Sequence, residues 1–387
     1  MMLKRLYIIL FSVGWLITSI ACKQVYEPPA IKNNPRFLVV DGFLTSASDS
    51  TYITLTRTRN LSDSEAGPPE TSASVVVESQ SGGLIPLVET ASGVYGNLLS
   101  MDSSQVYRLV IRTADGKHYA SDFVPFKITP DIDSLGFKED SANVALIVST
   151  HDPSNNTRYY RWAYEETWKY HTYFLSEFNL VGDSVVVRGR DGLIYFCWKS
   201  QHSSDIQLGT SAGLSQDIIS KMVFHNVNKT SEKIYVQYSI LAKQYALTRD
   251  QFDYWTNLKK TTEQLGTVFD AQPSQVSGNI HCISDSSEIV LGYLCASTVT
   301  RKRIFLTLSQ LTNYNYTPYY VDCATSQDAI VVISPGDRAK IYEYLVKPDH
   351  LYTFLYQNGG YFLAQNFCAD CRDHGGTNVK PDFWPYP

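Results

Sequence analysis

Metal-site signatures are missing from this sequence. It has no His-Glu-x-x-His helix for a metal and no calcium loop. Gly375-Gly376-Thr377-Asn378 is no phosphate cradle, because neither a lysine nor a helix follows at the required spacing. The reading is therefore of a protein that is not an enzyme and needs no cofactor or metal, although convergent sites leave little local trace. Long charge runs are absent too. Lys and Arg total 33 against 38 Asp and Glu, a net charge of −5, so nothing supplies the basic footprint of a nucleic-acid binder. With 44% hydrophobic residues, disorder is excluded as well. Beyond the first residues, no segment is apolar enough to span a bilayer.

What is there begins with an export signal. Lys4 and Arg5 precede an apolar run from Leu6 to Ile20, and Ser19-Ile20-Ala21 leads into Cys22. The run is shorter than the roughly 20 residues of a membrane-spanning helix. Small residues directly before a cysteine suit lipoprotein signal peptidase, so residues 1–21 are expected to be removed and Cys22 to carry palmitate and other acyl chains. An ordinary secretory peptide with a passing cysteine is the alternative. Residues 22–35 are polar and proline-bearing, and read as a tether.

The fold class expected is mainly β, as two β-sandwich domains of immunoglobulin or transthyretin type. Over residues 36–128, "RFLVVDGFL", "TYITLTRT", "ASVVVES", "LIPLVET", "GVYGNLL", "VYRLVIRT" and "HYASDFVPF" alternate with turn residues, and "ADGK" signals a hairpin. Half-apolar strands escape water only by facing another sheet. "TPDIDSLGF" reads as the joint to a second domain, 129–387. There "YYRWAYEETW" puts Tyr160, Trp162 and Tyr164 on one strand face, with Arg161 and Ala163 on the other. One helical insertion interrupts the β pattern. Thr248 and Gln251 form a capping box, Phe252, Trp255, Leu258, Thr262 and Leu265 recur at helical spacing, and Gly266 ends the helix. Its aromatic residues are expected to pack against the second domain.

Setting Cys22 aside leaves Cys197, Cys282, Cys295, Cys323, Cys368 and Cys371, an even number suited to disulfides in an exported protein. Cys368-x-x-Cys371 admits three readings. A redox pair needs a stabilised thiolate at a helix start, whereas Asp370 and Asp373 flank this one. Zinc could recruit Cys323, Cys368, Cys371 and His374. The preferred reading is a structural staple, with three bridges using all six thiols.

Aromatic residues are abundant, with 27 Tyr, 17 Phe and 6 Trp, and sheets account for most of them. "NYNYTPYY" is different, since it gathers tyrosines around Pro318 in an expected loop. Tyr314, Tyr316, Tyr319 and Tyr320 are therefore candidate ligand-binding residues. Gly278, Gly375 and Gly376 read as turn residues, and Glu165 and Glu166 as solvated strand charges that cannot flank one bond.

"RFLVVDGFLT", "YYRWAYEETW", "QPSQVSGNIHC", "GYLCASTVTRKRIFL" and "FCADCRDHGGTNVKPDFW", in this order behind a lipoprotein signal, resemble a Bacteroidota lipoprotein family classified only as a domain of unknown function, family four-two-four-nine. The resemblance implies an outer-membrane accessory component, because members are commonly encoded beside TonB-dependent receptors. It implies no reaction. Lys23-Gln24-Val25-Tyr26 departs from the acidic residues often found right after the lipidated cysteine in surface-exposed lipoproteins of that phylum, so the membrane side is left open. The expected function is a non-catalytic accessory or binding component partnering a TonB-dependent receptor. The alternative is a module that captures a glycan or peptide for uptake.

Overall fold

The computed structural model describes residues 36–46, 49–59, 67–181, 184–189, 192–263, 277–312, 314, 323, 330–333, 353–357 and 360–385. The signal, Cys22, the tether, Gly266 and Tyr316, Tyr319 and Tyr320 lie outside them.

The first strands are β1 (Leu38–Leu44), β2 (Ser50–Arg57), β3 (Ser74–Ser79), β4 (Leu84–Ala91), β5 (Val94–Leu98), β6 (Val106–Arg112), β7 (His118–Ser121) and β8 (Val124–Pro125). They form one antiparallel path in the order β7-β6-β3-β4-β5-β2-β1, with β8 paired to β6. Alternate side chains are apolar, so each strand has one face that must leave water. Leu38, Ile53 and Tyr95 from one half of the path share a core with Val75, Leu109 and Tyr119 from the other, which makes the sheet a sandwich folded on itself. Each such side chain contributes about 1.5–3 kcal/mol when fully buried. The "ADGK" hairpin closes as expected, with Gly116 at φ 85° and Thr113 N–H donating to the Lys117 carbonyl at 3.0 Å.

The second series comprises β9 (Ile132–Glu139), β10 (Asn143–Asp152), β11 (Tyr159–His171), β12 (Phe178–Val181), β13 (Ser184–Val187), β14 (Phe196–His202), β15 (Gln207–Thr210), β16 (Asp217–Asn228) and β17 (Gln237–Leu247). The joint is shorter than expected, because most of "TPDIDSLGF" is β9. The helix α1 (Arg249–Glu263) follows. Its capping box is present: Thr248 N–H donates to Gln251 Oε1 at 2.9 Å and Gln251 N–H to Thr248 Oγ1 at 3.3 Å.

After α1 the chain returns to the first sheet, which the sequence reading did not foresee. Strands β18 (Ile280–Cys282), β19 (Val290–Leu291) and β20 (Cys295–Ala296) pair with β7, β1 and β1 respectively, the last two in parallel. Residues 280–296, which the sequence reading placed in the second domain, therefore complete the first sandwich. Gly278 and Gly292 explain the fit, and close approach, not turn formation, is what Gly278 supplies. A Cβ at Gly278 would lie 1.8 Å from the Gly292 carbonyl oxygen, and one at Gly292, which has φ 131°, would lie 2.1 Å from that of Val40. Asn279 then imitates a strand partner, accepting from Leu294 N–H at 2.7 Å and donating to the Leu294 carbonyl at 3.1 Å.

With β21 (Val299–Thr307) the second sandwich is complete. One sheet has the order β16-β10-β9; the other runs β14-β11-β17-β21, with β15 added to β11. Val144, Leu146 and Phe224 from the first sheet meet Tyr160, Trp162 and Tyr238 from the second. The expected alternation along β11 holds, since Tyr160, Trp162 and Tyr164 are buried in this core.

A small sheet, β22 (Ile330–Ile333), β24 (Gly360–Ala364) and β23 (Thr353–Gln357) in that order, leads to the short helix α2 (Asn366–Ala369). Here the Cys-x-x-Cys question is answered. Cys371 is bonded to Cys197 on β14, and Cys368 to Cys323. The two cysteines staple two different segments, so they form neither a redox pair nor a zinc clamp. His374 instead places Nε2 2.7 Å from the Phe367 carbonyl. The expectation of three bridges is corrected: Cys282 on β18 and Cys295 on β20 are buried free thiols. Their surroundings separate them, for Cys282 belongs to the first core and Cys295 lies under α1, close to Trp255.

Candidate functional site

The two sandwiches meet along a cleft of about 580 Å³. One wall is the β1–β2 edge of the first sandwich, with Asp41, Gly42, Phe43, Ser50 and Tyr52. The other comes from β11, β17 and β21 of the second, with Arg161, Ala163, Lys243, Tyr245, Val299 and Arg301. The volume falls in the usual small-ligand range of roughly 300–1,000 Å³. An ion pair between Arg301 and Asp49 ties the walls together.

Strand alternation explains why these residues face the cleft. On β11 the even-numbered aromatic residues enter the core, so Arg161 and Ala163 must point the other way. On β17, Ala242 and Gln244 are buried inward, which turns Lys243 and Tyr245 outward. Helix α1 packs against a lining residue of each wall, Phe43 and Arg161. Its Trp255 ring is stacked 6.0 Å from Phe43, and Phe252 lies 5.1 Å from Tyr159. The expectation that both aromatics pack on the second domain holds for Phe252, whereas Trp255 bridges to the first.

Arg161 is the unusual group. Its guanidinium carbon sits 4.3 Å from the Trp255 ring centre, 5.1 Å from Phe43 and 5.7 Å from Tyr245. Cation–π attraction of about 0.5–2 kcal/mol per ring offsets part of the cost of burying the charge. Nε is closed off from solvent and has no hydrogen-bond partner among the described residues. Burial lowers the Arg161 pKa, with Tyr245, Cys295 and Asp41 opposing it. The other cations lining the cleft are engaged, Lys243 with Glu165 at 3.7 Å and Arg301 with Asp49. Sequence reasoning placed Arg161 on the correct strand face without marking it as a site residue. The available signal was a lone cation in "YYRWAY", flanked by aromatics that enter the core.

The candidates singled out from sequence are placed differently. Tyr314 packs 6.3 Å from Tyr235, against the second core and away from the cleft; its three companion tyrosines are outside the described residues. Glu166 is corrected: it is buried, not solvated. It accepts from Tyr238 at 2.7 Å, pairs with Lys233 at 2.5 Å and lies 3.0 Å from His225 Nε2. Burial raises its pKa, but these partners outweigh burial and hold the carboxyl at about 2. Glu165 does face the opposite way, toward Lys243. Among the described residues, no helix is long and apolar enough to cross a membrane, and no cluster of His, Cys, Asp and Glu could hold a metal.

Fold and cleft together define a two-sandwich β-protein with a discontinuous first sandwich and a disulfide-stapled tail. The chain belongs to the family described as "Domain of unknown function (DUF4249)", whose model matches residues 23–303. No curated protein matches it. Among solved structures it shows a likeness to a proposed carbohydrate binding protein from Bacteroides uniformis, at 9% identity and a TM-score of 0.16, covering 56% of this chain and 92% of that one. A proposed membrane anchored protein from Corynebacterium diphtheriae is similar at 11% identity and a TM-score of 0.17, covering 54% of each chain. Likenesses this slight carry no argument about what the present chain does.

Proposed function

We propose that this chain is a lipid-anchored envelope protein that does no chemistry and binds a small ligand in the cleft between its sandwiches, as an accessory to a TonB-dependent outer-membrane receptor. The observation that carries the binding reading is Arg161, a caged cation without an acceptor among the described residues, on the wall of a cleft of ligand size. The other cations beside it are paired, Lys243 with Glu165 and Arg301 with Asp49, which supports recognition more than reaction. The same cleft favours glycan or peptide capture as the ligand-side role, since it offers aromatic faces together with charged and hydroxyl groups.

Anchoring rests on the sequence around Cys22. The experiment is gentle detergent extraction of tagged full-length chain, followed by identification of co-purifying proteins. A large β-barrel receptor is the expected companion, and its absence from membranes that retain the tagged chain would overturn the accessory role. Cys22→Ala should move the chain to the soluble fraction. Unchanged membrane attachment would remove the anchor.

A further inference from the structure

Arg161 supplies a more specific statement about the ligand. Among the described residues its guanidinium lies against three ring faces. Among the described residues Nε is sealed and unpaired, whereas the two terminal nitrogens, which make no hydrogen bond to those residues either, are not sealed. They therefore open onto the cleft that Arg161 lines. A planar guanidinium fork with both terminal nitrogens uncommitted matches a carboxylate in a bidentate pair. The three rings fix its plane, so little rotamer entropy is lost on pairing, and their low dielectric strengthens the attraction.

We propose that the cleft recognises the carboxylate of a small ligand through Arg161, an inference that rests on reading the cleft as a binding site. Asp41, on the facing wall, can accept hydrogen bonds from donors on the rest of the ligand but repels a second anionic group. The structure thus favours a ligand with one acid group and donors at the other end. A sugar acid has this character, and so does a short peptide with a free C-terminus.

The test titrates two matched pairs into the full chain: D-galacturonate against D-galactose, and alanylalanine against alanylalanine amide, with inorganic phosphate as a third anion. Intrinsic fluorescence is a suitable readout because Trp255 touches the guanidinium. The acid of at least one pair should bind about ten- to a hundredfold more tightly than its neutral partner; whichever pair responds identifies the source. Arg161→Gln should abolish that preference. Arg161→Lys, which keeps the charge and serves as a second variant should Gln disturb folding, should reduce it about tenfold. Equal binding of acid and neutral forms would overturn the carboxylate assignment while leaving the cleft a binding site. Phosphate binding as tight as the carboxylate, or no binding by either acid, would overturn it too, and receptor co-purification would still decide the accessory role independently.

Discussion

Cys371 is bonded to Cys197 across 174 residues of sequence, fixing the end of the chain to the edge strand β14. The tail then continues the attachment by backbone pairing, Trp198 N–H donating to the Thr377 carbonyl at 2.9 Å and Thr377 N–H to that of Trp198 at 3.0 Å. Closing so long a loop removes much of the freedom of the unfolded chain. Cys371→Ser is therefore expected to cost about 2–5 kcal/mol. Urea denaturation of the oxidised variant beside wild type measures it, and a midpoint shift within error would deny the staple any role in stability.

The four bonded cysteines and the two free ones should behave as distinct chemical classes. Cys295 is wholly buried, which pushes its thiol up to about 12, so it is a poor nucleophile in the folded state. Peptide mapping after alkylation should find Cys282 and Cys295 modified only on unfolding, without reductant. Cys197, Cys323, Cys368 and Cys371 should need reductant as well. Recovery of a Cys282–Cys295 bridge would reinstate the three bridges expected from cysteine counting.

Trp384 anchors the final segment. It is 3% exposed, packs 5.3 Å from Phe305 and 6.3 Å from Trp198, and donates its indole N–H to Gln237 Oε1 at 2.8 Å. Trp384→Ala should cost about 3–5 kcal/mol if the pocket stays open, less if the neighbouring rings collapse into it. Limited proteolysis should then cut after Thr377 in the variant before it cuts wild type. Identical cleavage rates would mean that the disulfides alone hold the tail.

Much of this architecture could be read before any coordinates, for reasons visible in particular residues. Period-two patterning of "TYITLTRT" and "VYRLVIRT", the Gly116 hairpin and the Thr248–Gln251 box are local signals, and each appears in the fold. Strand β16 left a fainter trace. It carries register shifts against β10 and a positive φ at Lys221, so "DIISKMVFHNVN" does not alternate cleanly. The return of residues 280–296 to the first sheet was illegible, because parallel pairing of β19 and β20 with β1 depends on long-range contacts that no local pattern encodes. The cleft was hidden for the same reason. Its two walls are separated by more than a hundred residues, and Arg161 gains its meaning only when Phe43 and Trp255 close over it.

Glu166 makes the stability of the second sandwich depend on pH in a calculable way. Its carboxyl is almost wholly buried, and in the folded state its pKa lies at about 2, because Lys233, His225 and Tyr238 together outweigh the burial that would raise it. An unfolded glutamate titrates near 4.3, so the folded value is the lower one and the unfolded state binds its proton first as pH falls. The contribution is therefore full above about pH 5, is lost as the pH drops toward 2, and amounts to about 3 kcal/mol at neutrality. By pH 3 roughly half of it should be gone. Glu166→Gln should lower stability at pH 7 and, more tellingly, flatten the difference between pH 7 and pH 3 by about 1.5 kcal/mol relative to wild type. Urea unfolding of both proteins at the two pH values reads this directly. If the two proteins lost stability in parallel on acidification, the carboxylate would be protonating elsewhere than in this buried network.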